Sequence, residues 1–249
     1  MLLEGKVVVV TGAATPRGIG FATATRFARE GARIAILDLD GKAAGDAAAR
    51  LGTAHAGLAC NVTDPAQCAH AIEAVLAHFG ALDIVVNNAG VSQPTRLMDV
   101  DRANYDLVMD ASLRGTFNMS QAIVPHFRAR HAGVIVCIGS LAALRGGGVF
   151  GGPHYAAAKG GVHSLAKSMA RELAADGIRV NAIAPGLVDT DIFQGQLTPE
   201  RRRAVEEAVP MGRLARAEEI ADACLFLASD LSSYVTGAVL DVNGGLHMH

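Results

Sequence analysis

The chain has 249 residues, of which 51% are hydrophobic and only 4% aromatic, and it contains 28 glycines and no tryptophan. So high a hydrophobic content excludes a disordered low-complexity protein, the irregular glycine spacing excludes collagen, and the length suits one α/β domain. With 22 Lys and Arg against 24 Asp and Glu, the net charge of −2 gives no basic surface that would favour nucleic acid as a partner.

The cysteines and the apolar runs bear on the cellular compartment. Cys60, Cys68, Cys137 and Cys224 form no CxxC pair and lack zinc-ligand spacing, so free thiols in a reducing compartment are expected. No uninterrupted apolar run reaches the ~18 residues of a transmembrane helix, and no signal peptide is visible. We therefore predict a cytoplasmic protein without membrane contacts. No metal site is predicted, because the terminal His-x-His is better explained as a tail.

Short runs rich in β-branched residues alternate with longer alanine-rich segments. Several runs are apolar at every position, which is typical of strands buried on both faces. Strands are predicted at 7–10, 34–37, 58–60, 84–86, 134–138, 180–184 and 239–242, and helices at 18–30, 41–51, 65–79, 101–130, 155–176 and 217–228. This alternation predicts a single α/β domain over residues 1–249, a three-layer αβα arrangement around a doubly wound parallel sheet. The irregular stretch 187–212 is either a substrate lid or a loop with a short helix.

A glycine-rich turn follows the first predicted strand and leads into a helix. Gly12, Gly18, Ile19 and Gly20 lie in this turn, where glycines allow the backbone to approach a pyrophosphate and the helix N-terminus supplies free N–H groups. Asp38 follows the second strand, 18 residues after Gly20, where a carboxylate can accept hydrogen bonds from the hydroxyls of an adenosine ribose. These features predict a dinucleotide site.

Two residues of opposite charge bear on the choice of dinucleotide. Asp38 would repel a 2′-phosphate and so favours NAD, whereas Arg17 beside the glycine turn could bind the 2′-phosphate of NADP. Asp38 carries more weight because it lies where the ribose hydroxyls are expected. NAD is therefore the predicted cofactor, with NADP as the alternative.

Polar turns follow the third and fourth predicted strands. Asn61 and Val62 are expected to flank the adenine, with the Asn61 amide reaching its polar edge. Asn88, Ala89 and Gly90 are expected to turn the chain beneath the cofactor. In a parallel sheet these positions share one edge, where ligands bind.

A serine, a tyrosine and a lysine follow the fifth predicted strand. Tyr155 and Lys159 are four residues apart and therefore share a helix face. A tyrosine hydroxyl has a pKa near 10, and a nearby ammonium lowers that pKa, so Tyr155 could act as general acid for a ketone or general base for an alcohol. Ser140 could donate a hydrogen bond to the substrate oxygen.

Together these segments resemble the short-chain dehydrogenase/reductase family, in order from residue 6 to the Asp241–Gly245 segment. The matching motifs are Thr11-Gly12 with Gly18-Ile19-Gly20, Asn87-Asn88-Ala89-Gly90, Ser140, Tyr155-Ala-Ala-Ala-Lys159 and Arg179–Gly186. The resemblance implies a Rossmann-type fold, a bound nicotinamide cofactor and hydride transfer to or from a hydroxyl-bearing carbon. It implies that Tyr155 is the acid/base, that Lys159 binds the nicotinamide ribose and that Ser140 orients the substrate.

The family resemblance also assigns later residues and an assembly. Pro185, Gly186 and Val188 would line the nicotinamide, and Thr190 would approach its carboxamide or the pyrophosphate. Family members are commonly tetramers that pair through the two long helices, here 101–130 and 155–176, and through the C-terminal strand. A homotetramer is therefore expected.

Three features depart from the family pattern. The glycine turn has five residues between Gly12 and Gly18, and Ser140 and Tyr155 are 15 residues apart, so both intervals are about two residues longer than usual. The position of the family's catalytic Asn, which holds a water that leads protons from the lysine to solvent, is occupied by Ser112. A serine binds water but is shorter, so a slower proton exchange or another water is expected.

The substrate residues suggested by the sequence are polar and follow strand ends. Ser92, Gln93, Arg145, Gly147 and His154 would form a polar pocket, which suits a sugar, polyol or hydroxy acid. The alternative is a 3-oxoacyl thioester reduced with NADPH bound at Arg17. A non-catalytic NAD-binding scaffold is a further alternative, disfavoured because Ser140, Tyr155 and Lys159 are all present.

Overall fold

One seven-stranded parallel sheet organises the computed structural model, which describes residues 1–147, 150–191 and 197–248. Its strands are β1 (Val7–Thr11), β2 (Arg33–Asp38), β3 (Ala56–Ala59), β4 (Ile84–Asn87), β5 (Gly133–Ile138), β6 (Ile178–Pro185) and β7 (Val239–Val242). The strand order is β3-β2-β1-β4-β5-β6-β7, and each neighbouring pair is parallel. The order reverses direction between β1 and β4, which creates a crevice at the carboxyl ends of these strands.

Helices cover both faces of the sheet. They are α1 (Ile19–Arg29), α2 (Gly41–Leu51), α3 (Pro65–Phe79), α4 (Arg102–Met109), α5 (Gly115–Arg130), α6 (Ala142–Arg145), α7 (Pro153–Leu173), α8 (Pro199–Ala208) and α9 (Ala217–Ala228). Alternate residues of β1 serve the two cores: Val7 and Val9 pack with α3, α5 and α7, whereas Val8 and Val10 pack with α1, α2 and α9. This double burial explains the continuous apolar runs, and it confirms the predicted three-layer α/β fold.

The predicted long helix over 101–130 is interrupted. A π-helical turn at Asp110–Arg114 separates α4 from α5 and brings Ser112 to a fully buried position. The hydroxyl of Thr116 donates to the Ser112 carbonyl at 2.8 Å and so satisfies a backbone acceptor within the widened turn. π-helical turns are frequently found at functional sites, and this one adjoins the cavity described below.

The stretch 187–212 contains the helix α8, in line with the alternative of a loop with a short helix. Thr198 caps α8 by accepting a hydrogen bond from the Arg201 N–H at 3.3 Å, and Pro199 occupies the first helical position. Residues 192–196 of this stretch lie outside the described residues. Within the part of the chain described here, no helix is long and apolar enough to cross a membrane. The same residues contain no cluster of three or more potential metal ligands.

Candidate active site

A cavity of about 1090 Å³ opens at the carboxyl ends of the central strands. Most of the site residues predicted from the sequence line it, namely Gly12, Gly18, Ile19, Asp38, Asn61, Val62, Asn88, Ala89, Gly90, Ser92, Ser140, Arg145, Gly147, Tyr155, Lys159, Pro185, Gly186, Val188 and Thr190. Five others do not line it: Arg17, Gly20, Gln93, Ser112 and His154. Parallel strands bring their carboxyl ends to one edge, so residues far apart in sequence meet there.

The glycine turn fits the close approach of a ligand backbone. Gly12 has φ +62°, and a Cβ on it would lie 2.7 Å from the Ala89 Cα, so only glycine is accommodated. The Asn88 amide ties the two turns together by donating to the carbonyls of Thr11 and Gly12 at 2.9 and 2.8 Å. Helix α1 begins after Gly18 without a side-chain cap. Its first N–H groups are thus available to an anion such as a pyrophosphate.

The Asp38 side chain, at the end of β2, is fixed by a hydrogen bond from the backbone of the glycine turn. Its Oδ2 accepts a hydrogen bond from the Ala14 N–H at 2.9 Å, which links the carboxylate to the glycine turn. Arg17 is directed elsewhere, because its guanidinium pairs with Asp189 at 3.2 Å and Asp191 at 3.6 Å. Asp189 in turn accepts from Arg202 at 2.7 Å. Asp38 and Arg17 therefore have different surroundings, and of the two only Asp38 lines the cavity.

The Asn61 side chain is partly committed to its own turn. Its Oδ1 accepts hydrogen bonds from the N–H and the hydroxyl of Thr63, at 3.0 and 2.9 Å. The adjacent Val62 carbonyl accepts from the Asn118 amide at 2.9 Å, which joins this turn to α5. The amide oxygen of Asn61 is thus engaged, and the amide nitrogen is the group that remains for an adenine edge.

Ser140, Tyr155 and Lys159 meet at the opposite end of the cavity. Ser140 follows β5, and its Oγ accepts the Ala142 N–H at 3.0 Å, which orients the hydroxyl. Burial raises the pKa of Tyr155, and a hydrogen bond between the Tyr155 and Ser140 side chains opposes this rise. Burial lowers the pKa of Lys159 to about 8. The Lys159 Nζ donates to the Ile138 carbonyl at 2.7 Å and lies 5.9 Å from the centre of the Tyr155 ring.

Ser112 lies behind the Asn88–Gly90 turn rather than in the cavity. Its Oγ is buried and has no hydrogen-bond partner among the described residues. A Cβ placed on Gly90 would be 3.1 Å from this Oγ and 3.3 Å from the Lys159 Nζ. The serine hydroxyl and the lysine ammonium therefore flank the same small region beside Gly90.

The polar substrate pocket predicted from the sequence is formed only in part. Gln93 is withdrawn from the cavity because its amide oxygen accepts a hydrogen bond from Asn104 on α4. His154, at the start of α7, is buried beside Gly152 and does not line the cavity. Neither side chain therefore lines the cavity in this structure, and their part in substrate binding stays a prediction.

Ser92 and Arg145 do line the cavity, and each is bonded to a carbonyl. The Ser92 Oγ donates to Phe150 at 2.6 Å, and the Arg145 guanidinium donates to Leu246 at 3.0 Å. Gly147 lines the cavity beside them, while its neighbours at 148 and 149 lie outside the described residues. The other side chains at this end are largely apolar, namely Leu141, Phe150, Leu187, Ala204, Val205, Ala208 and Leu246.

Several of these residues were missed by reasoning from sequence. Ala204, Val205 and Ala208 lie on α8, whose start carries a recognisable Thr-Pro-Glu capping signal. Leu246 lies in the C-terminal segment, where no pattern indicates a return toward the cavity.

Comparisons with known proteins agree with this geometry. Residues 12–247 match the family model described as enoyl-(acyl carrier protein) reductase. The chain is 49% identical, over the full length of both proteins, to an uncharacterized short-chain type dehydrogenase/reductase of Sinorhizobium fredii. It is 40% identical, again over both full lengths, to the 3-oxoacyl-[acyl-carrier-protein] reductase of Escherichia coli.

The fold of the chain is also similar to that of a solved structure. The crystal structure of 3-ketoacyl-(acyl-carrier-protein) reductase from Brucella melitensis complexed with NADH superimposes with a TM-score of 0.91 at 36% identity. The match covers 99% of this chain and 100% of the other. The chain therefore belongs to the short-chain dehydrogenase/reductase family, and it is a nicotinamide-dependent oxidoreductase that acts on CH–OH groups.

Proposed function

We propose that the protein reduces a ketone carried on a largely apolar chain, such as a 3-oxoacyl thioester, with NADH as the cofactor. The observation that carries this proposal is a single cavity with the glycine turn and Asp38 at one end and Ser140, Tyr155 and Lys159 at the other. When bound, the nicotinamide supplies the hydride in reduction and accepts it in the reverse direction. Two features support this cofactor: the Gly12 position, where only glycine fits against Ala89, and the N-terminus of α1, which has no side-chain cap.

Tyr155 is proposed as the proton donor to the substrate oxygen. Tyr155 is protonated at neutral pH, and burial raises the pKa of its hydroxyl, so the proton to be donated is in place. The Ser140 hydroxyl accepts the Ala142 N–H and hydrogen-bonds the Tyr155 side chain, and with substrate bound it can turn its proton to the same substrate oxygen. The nearby Lys159 ammonium stabilises the phenolate that remains after transfer.

The experiment that tests this assignment is Tyr155→Phe, assayed as NADH oxidation with acetoacetyl-CoA. Removal of the hydroxyl eliminates the proton donor, so we expect kcat to fall by about 100-fold or more while NADH still binds. Tyr234→Phe is the matched control because Tyr234 is fully exposed. Wild-type activity in Tyr155→Phe would overturn the assignment.

NADH is proposed over NADPH because of the environments of Asp38 and Arg17. The Asp38 carboxylate lines the cavity and would repel a 2′-phosphate, whereas Arg17 is paired with Asp189 and Asp191. We expect fluorescence titration to give at least about 10-fold tighter binding of NADH than of NADPH, and Asp38→Ser to narrow the ratio. Tighter binding of NADPH by the wild-type protein would contradict the argument.

The apolar side chains at the substrate end support a 3-oxoacyl or similar ketone, as does the similarity, at 40% identity, to a 3-oxoacyl-[acyl-carrier-protein] reductase. A polar substrate such as a sugar, polyol or hydroxy acid is the second candidate, favoured by Ser92 and Arg145 in the lining. A panel of acetoacetyl-CoA, 3-hydroxybutyrate, sorbitol and 2-octanol separates the two. A clear preference for sorbitol or 3-hydroxybutyrate would favour the second candidate.

The segment 187–212 is proposed as a lid over the cavity, within a single catalytic domain. Leu187, Val188, Thr190 and Asp191 line the cavity on one side of this segment, and α8 lines it on the other. The ion pair of Asp189 with Arg17 connects it to the glycine turn, and the ion pair of Asp189 with Arg202 joins its start to α8. A cytoplasmic location is also proposed, since the four cysteines are buried free thiols suited to a reducing compartment.

A further inference from the structure

We infer that His163 is a positioning residue that fixes Ser140 at the reacting end of the cavity, an inference that rests on the function proposed above. The Ser140 backbone N–H donates a hydrogen bond to the His163 Nε2 at 3.3 Å. His163 is itself buried, and it lies on α7 one turn beyond Lys159 and two turns beyond Tyr155. One helix thus carries the acid/base, the lysine and the group that holds the serine.

The histidine completes the hydrogen bonding where β5 ends. The N–H groups of Gly139 and Leu141 point to β6 and donate to the Ile183 and Pro185 carbonyls, at 2.8 and 2.9 Å. The intervening Ser140 N–H points to the other side, away from β6, as alternation along an extended chain requires. There it meets α7, and the His163 imidazole is the acceptor that satisfies it.

Steric fit holds the imidazole in this place. A Cβ on Gly139 would lie 2.0 Å from the His163 Nε2 and 2.4 Å from its Cδ2, so the ring packs directly against the Gly139 backbone. Glycine before the serine and histidine on the helix are therefore complementary. A shift of either group would move the Ser140 hydroxyl, which must stay within hydrogen-bonding distance of the substrate oxygen.

The hydrogen bond requires a neutral ring with its proton on Nδ1. Burial, with Lys159 and Lys167 on α7 adding to it, lowers the pKa of His163 to about 4, while Asp241 on β7 opposes the effect. The imidazole is consequently neutral at physiological pH and can accept the Ser140 N–H.

The test compares three substitutions by NADH oxidation with acetoacetyl-CoA. Gln can place its oxygen where the Nε2 lies, whereas Asn mimics Nδ1 and Leu offers no acceptor. We expect His163→Leu and His163→Asn to lower kcat by about 10- to 100-fold, with the Kd for NADH unchanged, and His163→Gln to regain most of the loss. His126→Leu is the control, since His126 also bonds a backbone group, the Leu82 carbonyl at 3.2 Å, but lies on α5 away from the cavity.

Two results would overturn the inference: a wild-type kcat in His163→Leu, or a His163→Gln variant as slow as His163→Leu. If the variants do not fold, NMR of the ¹⁵N-histidine-labelled wild-type protein decides instead. The Nδ1-protonated tautomer at pH 7 is expected, and a ring protonated on Nε2 would overturn the inference. The tautomer is read without substrate, so failure of the proposed reaction and failure of the His163 role are distinguishable.

Discussion

At the scale of single residues, Ser112 is the substitution with the clearest chemical consequence. Its Oγ is buried without a hydrogen-bond partner among the described residues, beside the region that the Lys159 Nζ also flanks. A water held there by Ser112 would connect the lysine to solvent and replace the proton delivered by Tyr155. The shorter side chain holds such a water less well than the asparagine that the family usually has at this position.

We therefore expect Ser112→Asn to raise kcat and Ser112→Ala to lower it, each by about two- to ten-fold. Steady-state reduction of acetoacetyl-CoA at saturating NADH measures the effect, with NADH binding as the check on the fold. Identical kcat values in both variants and the wild-type protein would show that Ser112 is not on the proton path.

Whether a residue of the site can be predicted from the sequence depends on whether its backbone position or its side-chain contacts place it there. Ser140, Tyr155 and Lys159 could be identified because strand ends and helical spacing fix where their backbones lie. Gln93 and His154 also follow the polar pattern, yet the Gln93 amide is engaged by Asn104 and His154 is buried, so neither lines the cavity. His163 was missed because its role depends on a backbone N–H that no sequence pattern reveals.

At the scale of secondary-structure elements, Arg179 on β6 connects α9 to the following loop. Its guanidinium donates to the carbonyls of Leu227, Ser229 and Val235, at 3.0, 3.1 and 3.2 Å, and to the Ser232 hydroxyl at 3.0 Å. The Ser232 hydroxyl also donates to the Leu227 and Ser229 carbonyls, and the Asn181 amide donates to the Val235 carbonyl, so Arg179 adds a further donor to each. The half-buried side chain thus substitutes for a helix cap and positions β7 against the sheet.

Replacing Arg179 with Met would remove one hydrogen bond from each of these groups and leave those from Ser232 and Asn181 in place. We expect a loss of about 2–4 kcal/mol in the free energy of unfolding, measured by urea denaturation, with little change in kcat at 25 °C. Arg171→Met is the matched control because Arg171 is an exposed arginine on α7. Equal stability losses in the two variants would contradict the capping role.

Some secondary-structure elements can be predicted from the sequence more readily than others. The buried strands stand out because continuous β-branched runs are typical of parallel sheets, and α8 carries Thr198 and Pro199 at its start. The π-helical turn at Asp110–Arg114 leaves no such signal, because its five residues include neither the glycine nor the proline that commonly marks a helix break. A single long helix is then the natural but incomplete prediction.

At the scale of the whole molecule, the surface formed by α4 and α5 carries apolar side chains that are exposed in a single chain. Tyr105 on α4 and Phe117 on α5 are 46% and 48% exposed, and Met98 just before α4 is 90% exposed. All three lie on or just before α4 and α5, and exposed apolar side chains that group together commonly mark protein–protein interfaces. This face includes one of the two helices through which the family resemblance predicts a homotetramer.

We propose that this face is buried in a tetramer with four times the 25.7 kDa mass of one chain. Phe117→Asp places a charge in the interface, and an unpaired buried charge is costly, so dissociation into smaller species is expected. Light scattering after size-exclusion chromatography measures the mass, with Leu2→Asp as the control because Leu2 is a similarly exposed apolar residue near the chain start. If Phe117→Asp keeps the wild-type mass, or if the wild-type protein is monomeric, α5 does not form the interface.

Because α7 carries Tyr155, Lys159 and His163 and contacts α4, loss of the tetramer should also lower kcat, which ties assembly to catalysis.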